Sequence, residues 1–278
     1  MARILNVLGA QVRPVKGDPA ATLEKFEAEV RMIRRSFPKA QLYVFPEFYL
    51  TGEHPFAPGG VLPDAELATP IPGPLTERLG AAAARVRRWI AAGSVVERAG
   101  KNLHNTALVF SPTGELVARY RKVFTWTPWE TLAPGKEPPA VFQIPRAGKL
   151  GLMICYDGSF PEMARSLAMR GAETIVHPTM TSTVDREQEI VMARANAIAN
   201  QCYVLNINVS LEIGGGRSVV LGPEGTPIYE AGAGEEFITA VLDLDLVQAV
   251  REQGSMGLNR LLERVREASP SVFRHNPG

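Results

Sequence analysis

Three residues in this chain have side chains and settings suited to covalent chemistry. Cys155 lies in GLMICYDGSFPE (151–162), Glu47 closes LYVFPE (42–47), and Lys122 sits in RYRKVFTWTPWE (119–130). Each follows an apolar, strand-like run or stands in a turn beside aromatics, and strand ends are where the ligand crevice of an open α/β sheet usually lies. A thiol with a pKa of about 8.5 needs a neighbouring base to act as a nucleophile at neutral pH. No histidine is well placed for that task, so Glu47 is the available base. Attack on an amide carbonyl would build an oxyanion, for which a fixed ammonium such as Lys122 is a suitable partner and the backbone N–H of Tyr156 a second donor. Glu47 would then protonate the leaving ammonia and activate the water that hydrolyses the thioester.

Each residue also has a plainer reading. A free cysteine after an apolar strand is more often an inert small hydrophobe. A glutamate behind Phe-Pro is usually a cap or a surface carboxylate, and Lys122 beside Arg121 usually marks a solvated face. Glu130 reads as a helix-start acid, and Trp126 and Trp129 as core residues. His177, at the end of TIVHPT (174–179), reads as a satisfied polar residue and not as a base.

Composition narrows the field. The chain has 278 residues, 45% hydrophobic and 21% charged, enough for one large α/β domain over 1–278 with a substantial core. Lys+Arg 30 against Asp+Glu 29 gives a net charge of +1, no general field for nucleic acid or an anionic membrane. No apolar run approaches a membrane span, and MARILNVLGAQV reads as a first strand and not a leader. Two cysteines, Cys155 and Cys202, without a CxxC or a cysteine/histidine cluster, argue against a disulfide scaffold or structural zinc and fit a reducing cytoplasm. The histidines His54, His104, His177 and His275 share no ligand-like spacing, which disfavours a metal-dependent hydrolase.

The elements that must position these residues alternate between strand and helix. Residues 3–12 form a strand pattern. Asp18-Pro19 then caps a helix carrying Leu23, Phe26, Val30, Ile33 and Phe37 at helical spacing. Gln41–Phe45 is a short strand stopped by Pro46. Residues 53–74, with six prolines and three glycines, predict a long loop of the kind that is more often functional than idle. A helix over about 75–88 leads into a strand at Trp89–Glu97. Residues 105–120 predict two strands around Ser111-Pro112-Thr113-Gly114, and 218–232 repeats the design. LYVFPE and TIVHPT echo one another too, so the chain hints at a pseudo-symmetric pair of sheets. After Cys155, Ser159-x-x-Glu162 reads as a capping box for a helix ending at Gly171. A further helix runs from about Asp185, then a strand at Cys202–Val209. Two helical patterns, 245–253 and 258–266, form a tail (245–278) that packs on the domain or on a partner subunit. The class is α/β with layered sheets.

On these segments the chain resembles the nitrilase superfamily of carbon–nitrogen hydrolases, whose mark is a Glu–Lys–Cys triad in that chain order. FPEFYLTG (45–52), NTALVFSPTGELVARYRK (105–122), CYDGSFPEMAR (155–165) and RANAIANQCYVLNIN (194–208) carry the resemblance. It implies an α-β-β-α four-layer sandwich, no metal or organic cofactor, homodimers or larger homo-oligomers, and Glu47, Lys122 and Cys155 as the catalytic set. Within the superfamily the amidase branch matches best. Glu130 falls where those enzymes carry a second glutamate that orients substrate, and Trp126 resembles a pocket tryptophan of aliphatic amidases and formamidases. Gly158 also resembles theirs. Tyr156 stands where they often have Asp, the segment PWETLAPG lacks their Gly-Trp, and their long C-terminal arm is absent. The expectation is a cytoplasmic amidase acting on a small carboxamide, with Trp126, Tyr156 and Tyr49 lining a pocket for a short or flat acyl group. The alternatives are a nitrilase, an N-carbamoyl hydrolase with Arg186 or Arg194 anchoring a substrate carboxylate, and a non-catalytic binding or regulatory member of the fold.

Overall fold

A computed structural model describes residues 2–52, 64–210 and 215–268. Half of the Pro/Gly-rich loop read over 53–74 (residues 53–63, including His54) and the tail beyond 268, including His275, lie outside the described residues.

Two six-stranded sheets carry the fold. The strands are β1 (Ile4–Gln11), β2 (Leu42–Val44), β3 (Trp89–Ala99), β4 (Asn102–Phe110), β5 (Leu116–Arg121), β6 (Val141–Ile144), β7 (Gly148–Leu152), β8 (Thr174–Thr179), β9 (Tyr203–Asn208), β10 (Val219–Leu221), β11 (Pro227–Glu230) and β12 (Glu236–Asp243). One sheet runs β12-β1-β2-β3-β4-β5 and the other β11-β10-β9-β8-β7-β6. In the first, β1, β2 and β3 are parallel and β12, β4 and β5 join antiparallel. In the second, β7, β8 and β9 are parallel and β6, β10 and β11 join antiparallel. The pairing rules are the same in both sheets, so the weak sequence echoes have a structural counterpart.

Helices α1 (Pro19–Ser36), α2 (Asp64–Leu67) and α3 (Pro74–Val86) belong to the first half; α4 (Pro161–Met169) and α5 (Arg186–Asn200) to the second; α6 (Leu244–Gln253) and α7 (Leu261–Glu267) close the described chain. Asp18 accepts the Ala21 N–H at 2.8 Å and Pro19 opens α1, as the sequence predicts. One face of α1 (Phe26, Val30, Ile33) packs with Leu79 and Ala83 of α3 against Leu8, Tyr43 and Phe45. Each such fully buried side chain contributes about 1.5–3 kcal/mol. Between the sheets, Leu5, Val7, Val44 and Val109 meet Leu150, Leu152, Val176, Leu205 and Ile207. On the far side, Ala164 and Leu167 of α4 and Ile190, Ala193 and Ala197 of α5 cover Met153, Ile175 and Val204. The order of layers is α-β-β-α. No helix among the described residues is long and apolar enough to cross a membrane.

Four details depart from the sequence reading. β6 and β12 were not foreseen, and α2 occupies part of the stretch read as loop. The strand before Cys155 ends at Leu152, so the cysteine does not end it; Cys155 begins a 3-10 turn over Cys155–Ser159. That turn takes Ser159, so the expected capping box does not form: Phe160 is the N-cap, without a side-chain cap bond, and Pro161 opens α4. The tail from 244 to 268 packs on its own chain, with Leu244 and Val247 in the core and the Leu262 N–H donating to Gln201 Oε1 at 3.0 Å.

Candidate active site

Glu47 is positioned by a tight approach of two strands. The chain leaves β2 through Phe45 and Pro46, and the Pro46 carbonyl comes so near Gly93 of β3 that a Cβ there would lie 1.8 Å from it. Gly93 has φ +73, so glycine meets both demands. Phe48, next in sequence, has φ +52, and its N–H donates to Ser94 Oγ at 3.3 Å. Glu47 is thereby held 2% exposed.

Lys122 follows β5 directly, and its own N–H continues the ladder to the Asn105 carbonyl at 2.8 Å. β5 is pinned at the sheet edge by Arg121, which forks onto buried Glu97 at 2.7 and 2.9 Å. The Lys122 Nζ donates to Glu47 Oε1 at 3.1 Å and to Glu130 Oε2 at 2.8 Å. Asn105 Nδ2 donates to the same pair of carboxylates, at 2.8 Å to Glu47 and 3.1 Å to Glu130. The Trp126 N–H also donates to Glu130 Oε2, at 2.9 Å. Lys122 and Glu130 are each 2% exposed, so one ammonium and two carboxylates share a desolvated space.

Cys155 enters from the other sheet. It is partly exposed, has φ +42, and its thiol is near enough to Glu47 and Lys122 for both charges to act on it. Its Sγ is 3.7 Å from Thr181 Oγ1. The turn beneath it is tied by Asp157, whose carboxylate accepts from Ile154 N–H at 3.0 Å, Tyr120 OH at 2.8 Å and Phe124 N–H at 2.9 Å. Tyr120 and Phe124 lie two residues on either side of Lys122, so one buried carboxylate sets the Cys155 turn against the lysine's segment.

The electrostatics follow from this crowding. Burial pushes the Glu47 carboxyl up, Lys122 pulls it down, Glu130 pushes it up again, and the balance lies above the usual carboxylate range. Burial and the Glu47 charge raise the Cys155 thiol well above its ordinary value against the opposing pull of Lys122. Burial would lower Lys122, but Glu47, Cys155 and Glu130 outweigh it, so the ammonium is retained. A thiol thus lies beside a carboxyl group made more basic by burial, a pairing that suits proton transfer concerted with attack.

Phe124 stacks on Phe160 with centroids 3.7 Å apart, and Tyr156 meets the edge of Phe160 at 5.2 Å. Trp126 and Trp129 are 6.3 Å apart, with Trp129 60% exposed. Tyr49 does not join these aromatics. It is wholly buried on the α1 side of the first sheet, stacked on Phe45 at 5.7 Å and donating to Glu29 at 2.6 Å, because the left-handed turn at Phe48 redirects the chain. Nor do the two candidate anchors offer a free cation. Arg194 pairs with Glu230 at the surface at 3.0 Å, and buried Arg186 binds Glu189 at 2.7 Å and the Arg217 carbonyl at 2.7 Å.

Sequence reasoning passed over Asn105 and Asp157. A buried asparagine in a strand must find partners, and Asn105 opens NTALVF, but only the fold reveals that those partners are Glu47 and Glu130. Asp157 reads as a turn residue because its tethers are distant in sequence.

Residues 9–252 match the carbon–nitrogen hydrolase family. The chain is 30% identical to the omega-amidase NIT2 of Xenopus tropicalis over 90% of this chain and 91% of that protein. It is 28% identical to a formamidase of Bacillus cereus (strain Q1) over 97% and 87% of the two chains. Among solved structures, Saccharomyces cerevisiae Nit3, a member of branch 10 of the nitrilase superfamily, superimposes with a TM-score of 0.79 at 26% identity, covering 90% of this chain and 94% of its own. An amidase from Nesterenkonia sp. AN1, solved as a cysteine-to-alanine variant with butyramide, gives 0.75 at 26% identity and covers 90% and 95%. The same amidase has been solved with the acetamide moiety of fluoroacetamide added covalently at its active-site cysteine, at 25% identity and a TM-score of 0.75, covering 90% and 95%. Sandwich, buried charge cluster and family match agree: the chain belongs to the carbon–nitrogen hydrolases of the nitrilase superfamily and is an enzyme that hydrolyses carbon–nitrogen bonds.

Proposed function

We propose that the chain is an amidase converting a small primary carboxamide and water to a carboxylate and ammonia through a thioester on Cys155. The observation that carries this reading is the buried ammonium of Lys122, 3.1 Å from Glu47 and 2.8 Å from Glu130, beside a thiol on which the charges of Glu47 and Lys122 both act. The thiol proton passes to Glu47 as Sγ bonds to the carbonyl carbon, and the oxyanion forms against Lys122 and the Tyr156 N–H. Collapse breaks the C–N bond while Glu47 returns the proton to nitrogen, releasing ammonia. Water then attacks the thioester, Glu47 takes its proton, and cleavage of the C–S bond frees the acid and restores the thiol. Glu130 holds Lys122 and the Trp126 backbone in place and so orients the substrate amide. Trp126 and Tyr156 flank the acyl group; Tyr49 is withdrawn from that role.

The relatives named above support an amide over a nitrile, and the pairing of Arg186 and Arg194 leaves an N-carbamoyl acid without an evident anchor among the described residues. The test is ammonia release from primary amides of increasing acyl length, nitriles and N-carbamoyl amino acids, with intact mass to detect an acyl adduct. Amides turn over, and the adduct disappears in Cys155→Ala. An absence of turnover and adduct in the wild-type protein sinks the reading; faster hydrolysis of a nitrile or carbamoyl compound redirects it.

A further inference from the structure

Behind the nucleophile lies a second buried polar group, formed by His177, Asn206 and Glu189. His177 is fully buried, and its Nε2 lies 2.9 Å from the Cys155 carbonyl oxygen. Asn206 Nδ2 lies 3.0 Å from His177 Nδ1 and 3.2 Å from Glu189 Oε1. A carboxylate only accepts, so the Asn206 amide must present its NH₂ to Glu189, and its other hydrogen then points at His177 Nδ1. Nδ1 is thus the acceptor, and Nε2 carries the proton donated to Cys155. Burial holds His177 below its ordinary pKa against the pull of Glu189, so the ring stays neutral. Glu189 is itself neutralised by Arg186 at 2.7 Å.

The carbonyl so held belongs to a residue in an unfavourable conformation. A non-glycine residue in the left-handed region, as Cys155 is at φ +42, is strained and persists only where its surroundings enforce it. The other end of the turn is fastened to the same ring. A Cβ on Gly158 would lie 2.4 Å from His177 Cε1, and the Gly158 carbonyl accepts from Asn196 Nδ2 at 2.8 Å. The glycine that in sequence resembles an amidase marker is here the backbone that lets the imidazole reach the nucleophile's carbonyl.

We infer that His177 is a positioning residue for the reaction: its neutral imidazole, oriented by Asn206, holds the Cys155 backbone in the left-handed turn that aims Sγ at the substrate. This deepens the amidase reading and rests on it for the turnover data alone. The test compares full-length wild type with His177→Leu, which fills the volume without a donor, and His177→Gln, whose Nε2 reaches the place of the imidazole Nε2. On the best primary amide, His177→Leu loses about 10- to 100-fold in kcat with KM within about threefold, the scale expected of a misaimed nucleophile. His177→Gln recovers kcat to within about fivefold of wild type. A second readout is native alkylation of Cys155 by iodoacetamide, mapped by peptide mass spectrometry with buried Cys202 reporting any unfolding. The Cys155 rate changes about fivefold or more in His177→Leu and is restored in His177→Gln, while Cys202 stays protected. Wild-type kcat and alkylation in His177→Leu overturn the inference. So does a loss that tracks Cys202 labelling and is not rescued by Gln, since that is general destabilisation. If His177→Leu does not fold, His177→Asn, whose shorter amide stops short of the Cys155 carbonyl, takes its place. Should wild type hydrolyse no amide, the proposed function fails while the alkylation comparison still decides this inference.

Discussion

The two sheets follow one plan, an antiparallel edge strand, three parallel strands and an antiparallel pair, yet they bring opposite chemistry to the site. The first contributes charge: Glu47 beyond β2, Lys122 after β5, and Glu130, bound together by Asn105 of β4. The second contributes the thiol after β7, and its nearby carboxylates are occupied: Asp157 accepts from Ile154, Tyr120 and Phe124, and Glu189 is paired with Arg186. Where LYVFPE ends in Glu47, TIVHPT ends in Thr179, whose hydroxyl donates to Asn208 Oδ1 at 3.1 Å. Where β7 leads to Cys155, β1 ends in Gln11, whose amide binds the Gly232 carbonyl at 2.8 Å and the Ser218 N–H at 2.8 Å. A shared frame fixes where strand ends meet and leaves the identity of each end open. Keeping Asp157 and Glu189 partnered has a physical reason: an unpaired carboxylate near Cys155 would raise its thiol further.

The sharpest way to break this comparison is to move charge across it. Glu47→Gln lowers kcat by about 10²–10⁴-fold, the range of a lost general acid–base. It changes stability by less than about 1 kcal/mol, because Lys122 keeps Glu130 and a desolvated charge is removed. Kinetics and a denaturant melt check both halves of that statement. Lys122→Ala loses about 10²-fold or more in kcat. It also costs about 3–5 kcal/mol, since two buried carboxylates lose their common partner; a variant melting with wild type would refute the pairing. Thr179→Glu, the converse transplant, puts an uncompensated charge in a fully buried site and costs about 3 kcal/mol or more. A stable variant would show that the second sheet tolerates charge there.

The acid limb of kcat/KM is a gentler probe. In the proposed mechanism Glu47 must be ionised to accept the thiol proton, and its pKa is raised by burial and Glu130. Activity therefore falls, as pH drops, at a pH above the ordinary carboxylate range, and a limb at or below it would contradict the buried base. The smallest effect is expected at Arg194→Ala, whose surface pair with Glu230 contributes about 0.5 kcal/mol or less and whose loss leaves kcat/KM unchanged.

Much of this was legible in sequence because the decisive signals were local. Asp18-Pro19, the turn at Ser111–Gly114 and the apolar spacing of α1 each specify their own element. Glu47, Lys122 and Cys155 made chemical sense together, but it was the resemblance to the nitrilase superfamily that singled them out as a set. What escaped depends on contacts between distant segments. Alternation could not be followed through Phe48, whose positive φ sends Tyr49 to α1. Ser159 and Glu162 matched a capping pattern, but the demands of the nucleophile's turn came first. β12 shows the buried–exposed alternation of an edge strand; its pairing with β1, from the opposite end of the chain, carries no local signal.

The Asp157 tether has a consequence for assembly. Its partners Tyr120 and Phe124 belong to the first sheet, and its own turn to the second. The distance between thiol and ammonium is therefore set only once the two sheets have docked. Neither half of the chain can hold a fraction of the activity by itself, and on refolding from denaturant the return of turnover should coincide with burial of the core between the sheets and not precede it. Catalysis here doubles as a gauge of whether two duplicate scaffolds have come into register.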